Sequence, residues 1–98
     1  KSWAFNTYWM FGIVIKNKKI TAKSLLEKLK KFKIETRPFF YGLHKQPILK
    51  NKYIKKNNCP NTDYISKYGL YLPTGYNLDQ KKIKKISKIT LELFKKLK

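Results

Sequence analysis

The sequence predicts an α+β domain of two layers, a small sheet covered on one side by helices. Three observations predict it. A short, nearly continuous apolar run of β-favouring residues, "YWMFGIVI" at positions 8–15, has the look of a strand. Two longer segments, near 22–32 and 79–97, repeat their apolar residues at helical spacing. Turn residues divide what lies between into short pieces, and the order reads β-α-β-loop-α-β-α.

The first strand, over 8–15, is apolar at nearly every position, so it is expected to be buried on both faces. A polar turn at 16–19 follows. Thr21 then caps a helix near 22–32 whose apolar positions Leu25, Leu26, Leu29 and Phe32 share one face. The second strand spans 34–40. Pro38 pushes Arg37 towards an extended conformation and removes a ladder donor, so this strand lies at an edge or ends early.

Residues 41–60 show no period and read as one long loop, the kind of connection that tends to carry function. A compact helix near 62–68 follows, capped by Asn61 or Thr62, favoured by Asp63 in its first turn and closed by Gly69. A third strand at 70–72 stops at Pro73 and Gly75. Asp79 caps the last helix, near 79–97, which turns Ile83, Ile86, Ile89 or Thr90, Leu93 and Leu97 to one side. Strand order is not legible.

Ninety-eight residues make one domain, with 42% hydrophobic and 15% aromatic residues, as expected of a packed unit. The chain opens without methionine and reaches Trp3, Phe5 and Tyr8 at once, as a piece cut at a domain boundary would. The formal charge is +19. Such a charge suggests a nucleic-acid partner, and a small basic module for single strands is the alternative reading. Yet lysine, isoleucine and asparagine, the residues of A/T-rich codons, together fill 40 of the 98 positions. The lysines are scattered over polar helix faces and define no recognition motif, so a solvated surface explains them and no specific nucleic acid is expected. One cysteine, Cys59, permits no internal disulfide and suggests a reducing compartment. No apolar run approaches the roughly 18 residues of a membrane span, so the expected location is the cytoplasm.

Against 23 lysines stands a single arginine, Arg37, in "IETRPFFYGLHKQP". Where only positive charge is needed, lysine serves; a bidentate grip on a carboxylate or phosphate needs the guanidinium fork. Arg37 is therefore a candidate for an anionic ligand, and equally for a structural pairing with an acid or loop carbonyls. The only histidine, His44, admits three roles: ligand contact, proton carrier or satisfied loop residue. Phe39, Phe40 and Tyr41 stand beside them, more rings than a strand end can bury, which suggests a stacking site. Alternation turns one of Phe39 and Phe40 inward. Trp9 fits a core position, whereas Tyr8 and Asn6 at the strand entrance can reach a site. No phosphate loop, metal cluster, paired carboxylates or serine elbow is present, so no catalytic residue and no metal is assigned.

Three stretches, "TYWMFGIVI", "IETRPFFYGLHKQP" and "CPNTDYISKYGLYLPTGYNL", followed by the amphipathic helix, give the chain a family likeness over nearly its whole length. It resembles the C-terminal small domain of the pyridoxal-phosphate-dependent sugar-nucleotide aminotransferases of the DegT family, in particular the perosamine-synthetase-like group. The resemblance implies the small domain of an aspartate-aminotransferase-type fold in a cytoplasmic homodimer. It also implies a large N-terminal domain that carries the cofactor and its Schiff-base lysine. Glutamate would be the amino donor, and a nucleoside-diphosphate keto-deoxy sugar on the way to a cell-surface polysaccharide the acceptor. By the same similarity Arg37, His44, Phe39 and Phe40 line the sugar-nucleotide side, and Tyr8 and Trp9 lie near the domain junction. The 98-residue piece alone is then expected to bind no cofactor and to be inactive. The family pattern usually places proline where this chain has Gly42, which is expected to loosen the turn aiming His44. Cys59 stands where an aromatic is common.

Overall fold

The computed structural model describes residues 1–50 and 58–96. Residues 51–57 of the expected loop, and Leu97 of the last helix, lie outside the described residues. The architecture is the α+β one expected. Strands β1 (Phe11–Val14), β2 (Arg37–Pro38) and β3 (Gly69–Leu72) form an antiparallel sheet in the order β1-β3-β2. The helices are α1 (Ala22–Lys31), α2 (Pro47–Lys50), α3 (Pro60–Tyr68) and α4 (Gln80–Lys96).

Helix α1 begins as Thr21 requires. The Thr21 hydroxyl accepts from the Ser24 amide and the Ser24 hydroxyl from the Thr21 amide, both at 3.2 Å, a closed capping box. Ala22, Leu25 and Leu29 are buried, and Leu26 is half-buried. Phe32 is instead the C-cap and half exposed, because the helix stops before it turns the ring inward. Asp79 caps α4 as expected, its carboxylate accepting from the Lys82 amide at 2.7 Å. Thr90 and Leu93 are buried along that helix, whereas Ile83 is exposed. The core joins these helices to the sheet through Ile15, Ile20, Ile34, Tyr68 and Leu70.

Five expectations need correction. The first strand is shorter than 8–15, because Tyr8 lies in the left-handed region at φ 55°, its amide donating to the Asn6 side chain at 2.8 Å. Nor is it buried on both faces: β1 is an edge strand, and Phe11 and Val14 are exposed. The second strand keeps only Arg37 and Pro38, at the opposite edge, as a proline without an N–H dictates. Helix α3 starts earlier than Asn61 or Thr62 would set it. Cys59 is its N-cap and Pro60 occupies the first turn, with no side-chain cap bond. The long connection is also partly ordered, by a 3-10 turn at Leu43–Lys45 and by α2, which starts on Pro47.

The register sorts the sheet into two faces, since directly paired residues share a side. Ile13, Leu70 and Pro38 stand in one row, Gly12, Tyr71 and Arg37 in the next. Leu70 is fully buried beneath the helices, so the second row faces away from them.

Candidate functional site

On the face turned away from the helices, Arg37 stands opposite Tyr71 across the β2–β3 pair. Phe39 packs its ring on Tyr71 with centroids 4.3 Å apart, and Phe40 meets the same ring edge-on at 6.1 Å. Arg37 and Tyr71 border an open groove of about 400 Å3, lined further by Met10, Glu35 and Thr74. Among the described residues Arg37 forms no ion pair, although Glu35 lies two positions away on the same groove. An exposed guanidinium beside stacked rings, in a groove with no acidic partner engaged, leaves its fork available to a planar anion. Of its two sequence readings, the pairing with an acid is not formed among the described residues.

Arg37, Phe39 and Phe40 are thus brought together. Trp9 joins them indirectly, through its carbonyl, which accepts from the Thr74 hydroxyl at 3.3 Å. Its ring is largely exposed, so the expected core position is corrected: Trp9 precedes the first strand, which begins only at Phe11. Tyr8 is also exposed and does not line this groove.

His44 is placed elsewhere. It sits on the 3-10 turn with only 13% of its side chain exposed, and Nε2 lies 2.9 Å from Oδ1 of Asp63 at the start of α3. Lys45 Nζ reaches the same oxygen at 2.6 Å. The Lys45 hydrogen bond, seconded by His44, holds the Asp63 carboxyl below its ordinary range against an opposing effect of burial. The bond to Asp63 correspondingly raises the Lys45 ammonium. His44 is thus partnered within the fold by Asp63 and does not line the Arg37 groove.

Gly42, whose φ of −59° is ordinary, lies so close to its neighbours that an added Cβ would stand 2.7 Å from the His44 ring and 2.9 Å from Thr62.

Sequence reasoning missed Tyr71, the ring that ties the site together, and Asp63 as a partner of His44. Tyr71 carried a signal in the alternation of "GLYL", but its pairing with Arg37 depends on strand order. Asp63 lies 19 residues from His44, beyond any local pattern.

The DegT/DnrJ/EryC1/StrS aminotransferase family model matches residues 1–90. The chain belongs to this family. Comparison with individual curated proteins gives no match.

Enzymes of this family typically use pyridoxal phosphate. A lysine that condenses with that cofactor must be enclosed and deprotonated. Among the described residues no lysine is buried; Lys28 on α1 is half-buried and the others whose burial is described are exposed. These residues do not fit the cofactor, and no step of the reaction is assigned to them. What the described residues place together on the uncovered face is three rings and one guanidinium. Among the described residues no group of three His, Cys, Asp or Glu is placed to hold a metal, and no helix is long and apolar enough to cross a membrane.

Proposed function

We propose that this chain is the C-terminal small domain of a pyridoxal-phosphate-dependent sugar-nucleotide aminotransferase of the perosamine type, and that its open sheet face forms the substrate-side wall of the cleft. The observation that carries the reading is the placement of the sole arginine. Arg37 stands in register with Tyr71 on the uncovered face and borders a groove. A nucleoside diphosphate offers oxygens for a bidentate fork and planar or apolar faces for rings. Phe39, Phe40 and Tyr71 supply those rings. The reacting group, the cofactor and the lysine that holds it belong in this reading to the chain's own N-terminal large domain. The whole enzyme is a cytoplasmic homodimer. It moves an amino group from glutamate to a nucleoside-diphosphate 4-keto-6-deoxy sugar destined for a surface polysaccharide.

Steady-state kinetics of the full-length enzyme test this. Arg37→Lys keeps the charge and removes the fork, at a cost of about 1–3 kcal/mol in binding a desolvated anion. The expected result is a KM for the sugar nucleotide raised roughly fivefold or more, with the fold intact. An unchanged KM would mean that the arginine is structural and that this face is not the wall.

A further inference from the structure

Two side chains of α3 fasten the segment that carries Phe40. The Ser66 hydroxyl donates to the Phe40 carbonyl at 2.9 Å. One turn earlier Asp63 accepts from His44 Nε2 at 2.9 Å and from Lys45 Nζ at 2.6 Å. Residues three apart on a helix share a face, so both fastenings come from one side of α3. Between them the chain passes Gly42, whose missing side chain lets the backbone close onto Thr62 of the same helix. The pinned stretch therefore begins at Phe40, whose ring meets Tyr71, and ends at Lys45.

The chemistry of the contact is directional. A carboxylate can only accept, so His44 donates through Nε2, and one oxygen draws both the ring and the ammonium to α3. Tyr41 and Leu43 are exposed, so their side chains add little to this anchoring. The polar fastenings hold the backbone beside the Phe40 ring, which itself meets Tyr71.

We infer that Asp63 is a positioning residue for sugar-nucleotide binding, acting through His44 and Lys45, with Ser66 as its second anchor. This rests on the reading of the open sheet face as the substrate wall. Asp63 touches no substrate in this account; it fixes the loop that presents an aromatic wall residue.

The test compares Asp63→Ala, Asp63→Asn, Ser66→Ala and Arg37→Lys in the full-length enzyme, measuring KM separately for the sugar nucleotide and for glutamate. Asp63→Ala is expected to raise the sugar-nucleotide KM roughly threefold to tenfold and to leave the glutamate KM unchanged. Asp63→Asn, which still accepts from His44 but no longer attracts Lys45 as an anion, falls between wild type and Asp63→Ala. Ser66→Ala moves the same constant in the same direction. A general loss of structure would move both KM values or kcat, and such a result overturns the inference. So does a sugar-nucleotide KM that responds to Arg37→Lys but to none of the α3 variants. If Arg37→Lys has no effect, the wall reading falls and the positioning role falls with it. Should Asp63→Ala fail to fold, Asp63→Asn and Ser66→Ala carry the same comparison.

Discussion

Phe39 lies across two glycines, and that contact decides how its ring reaches Tyr71. A Cβ on Gly12 would stand 2.7 Å from the Phe39 ring tip, while one on Gly69 would meet the ring and also the Ile65 carbonyl at 2.6 Å. A side-chain tip can yield and a helix carbonyl cannot. Gly12→Ala should therefore cost about 1–3 kcal/mol, as overpacking does, and Gly69→Ala measurably more. Urea unfolding of both variants checks the order; equal costs, or a costlier Gly12→Ala, would contradict it. At this scale the sequence was partly legible. Arg37 stood out because a fork differs chemically from the charge that 23 lysines supply. His44 stood out as the sole imidazole, but its Asp63 partner did not, because only the tertiary fold brings α3 beside the 3-10 turn. Alternation turned one of Phe39 and Phe40 inward, but neither reaches the core: Phe39 is half-buried over glycines on the face away from the helices, and Phe40 is exposed.

Helices were more legible than strands. Thr21 and Asp79 each end a polar turn just before a 3.6-residue apolar repeat, and both cap in the structure. Strand ends depended on a local backbone state at Tyr8 and on pairing partners, neither of which periodicity records. Helix α3 starts before Asn61 because Pro60 pre-sets the first turn, so no hydroxyl cap is needed. Helix α3 also bears a pH-dependent contact. The Asp63 carboxyl is held below its ordinary value of 3.8, so the stability it contributes is present above that value and lost as pH falls through the lower folded one. Lys45, raised above its ordinary 10.5, contributes stability that is present below that value and lost as pH climbs through the higher folded one. Wild type should therefore be more stable than Asp63→Asn near neutrality, and the gap should narrow as the pH falls below the ordinary value of 3.8. Unfolding midpoints of the two proteins across that range check the sign. A gap that widens on acidification would contradict it.

For the whole molecule, helices cover one face of a three-stranded sheet and leave the other to rings and a guanidinium. Trp3, Phe5, Trp9 and Phe40 are exposed together with most of the lysines. The two-layer class was legible because amphipathic helices and short strands alternate along the chain. Which face stays open was not, since it depends on the order β1-β3-β2. No enclosed lysine is found among the described residues, so the 98-residue chain mixed with pyridoxal phosphate and glutamate should form no 2-oxoglutarate. Turnover above a lysine-peptide control would show that a complete site exists within it. The most direct test of the open face is hydrogen exchange in the full-length enzyme, with and without a nucleoside-diphosphate sugar. Ligand should slow amide exchange over residues 35–41 and 69–75, the strands and turn bordering the Arg37 groove. Protection confined to α1 and α4, with those two stretches unchanged, would contradict the account.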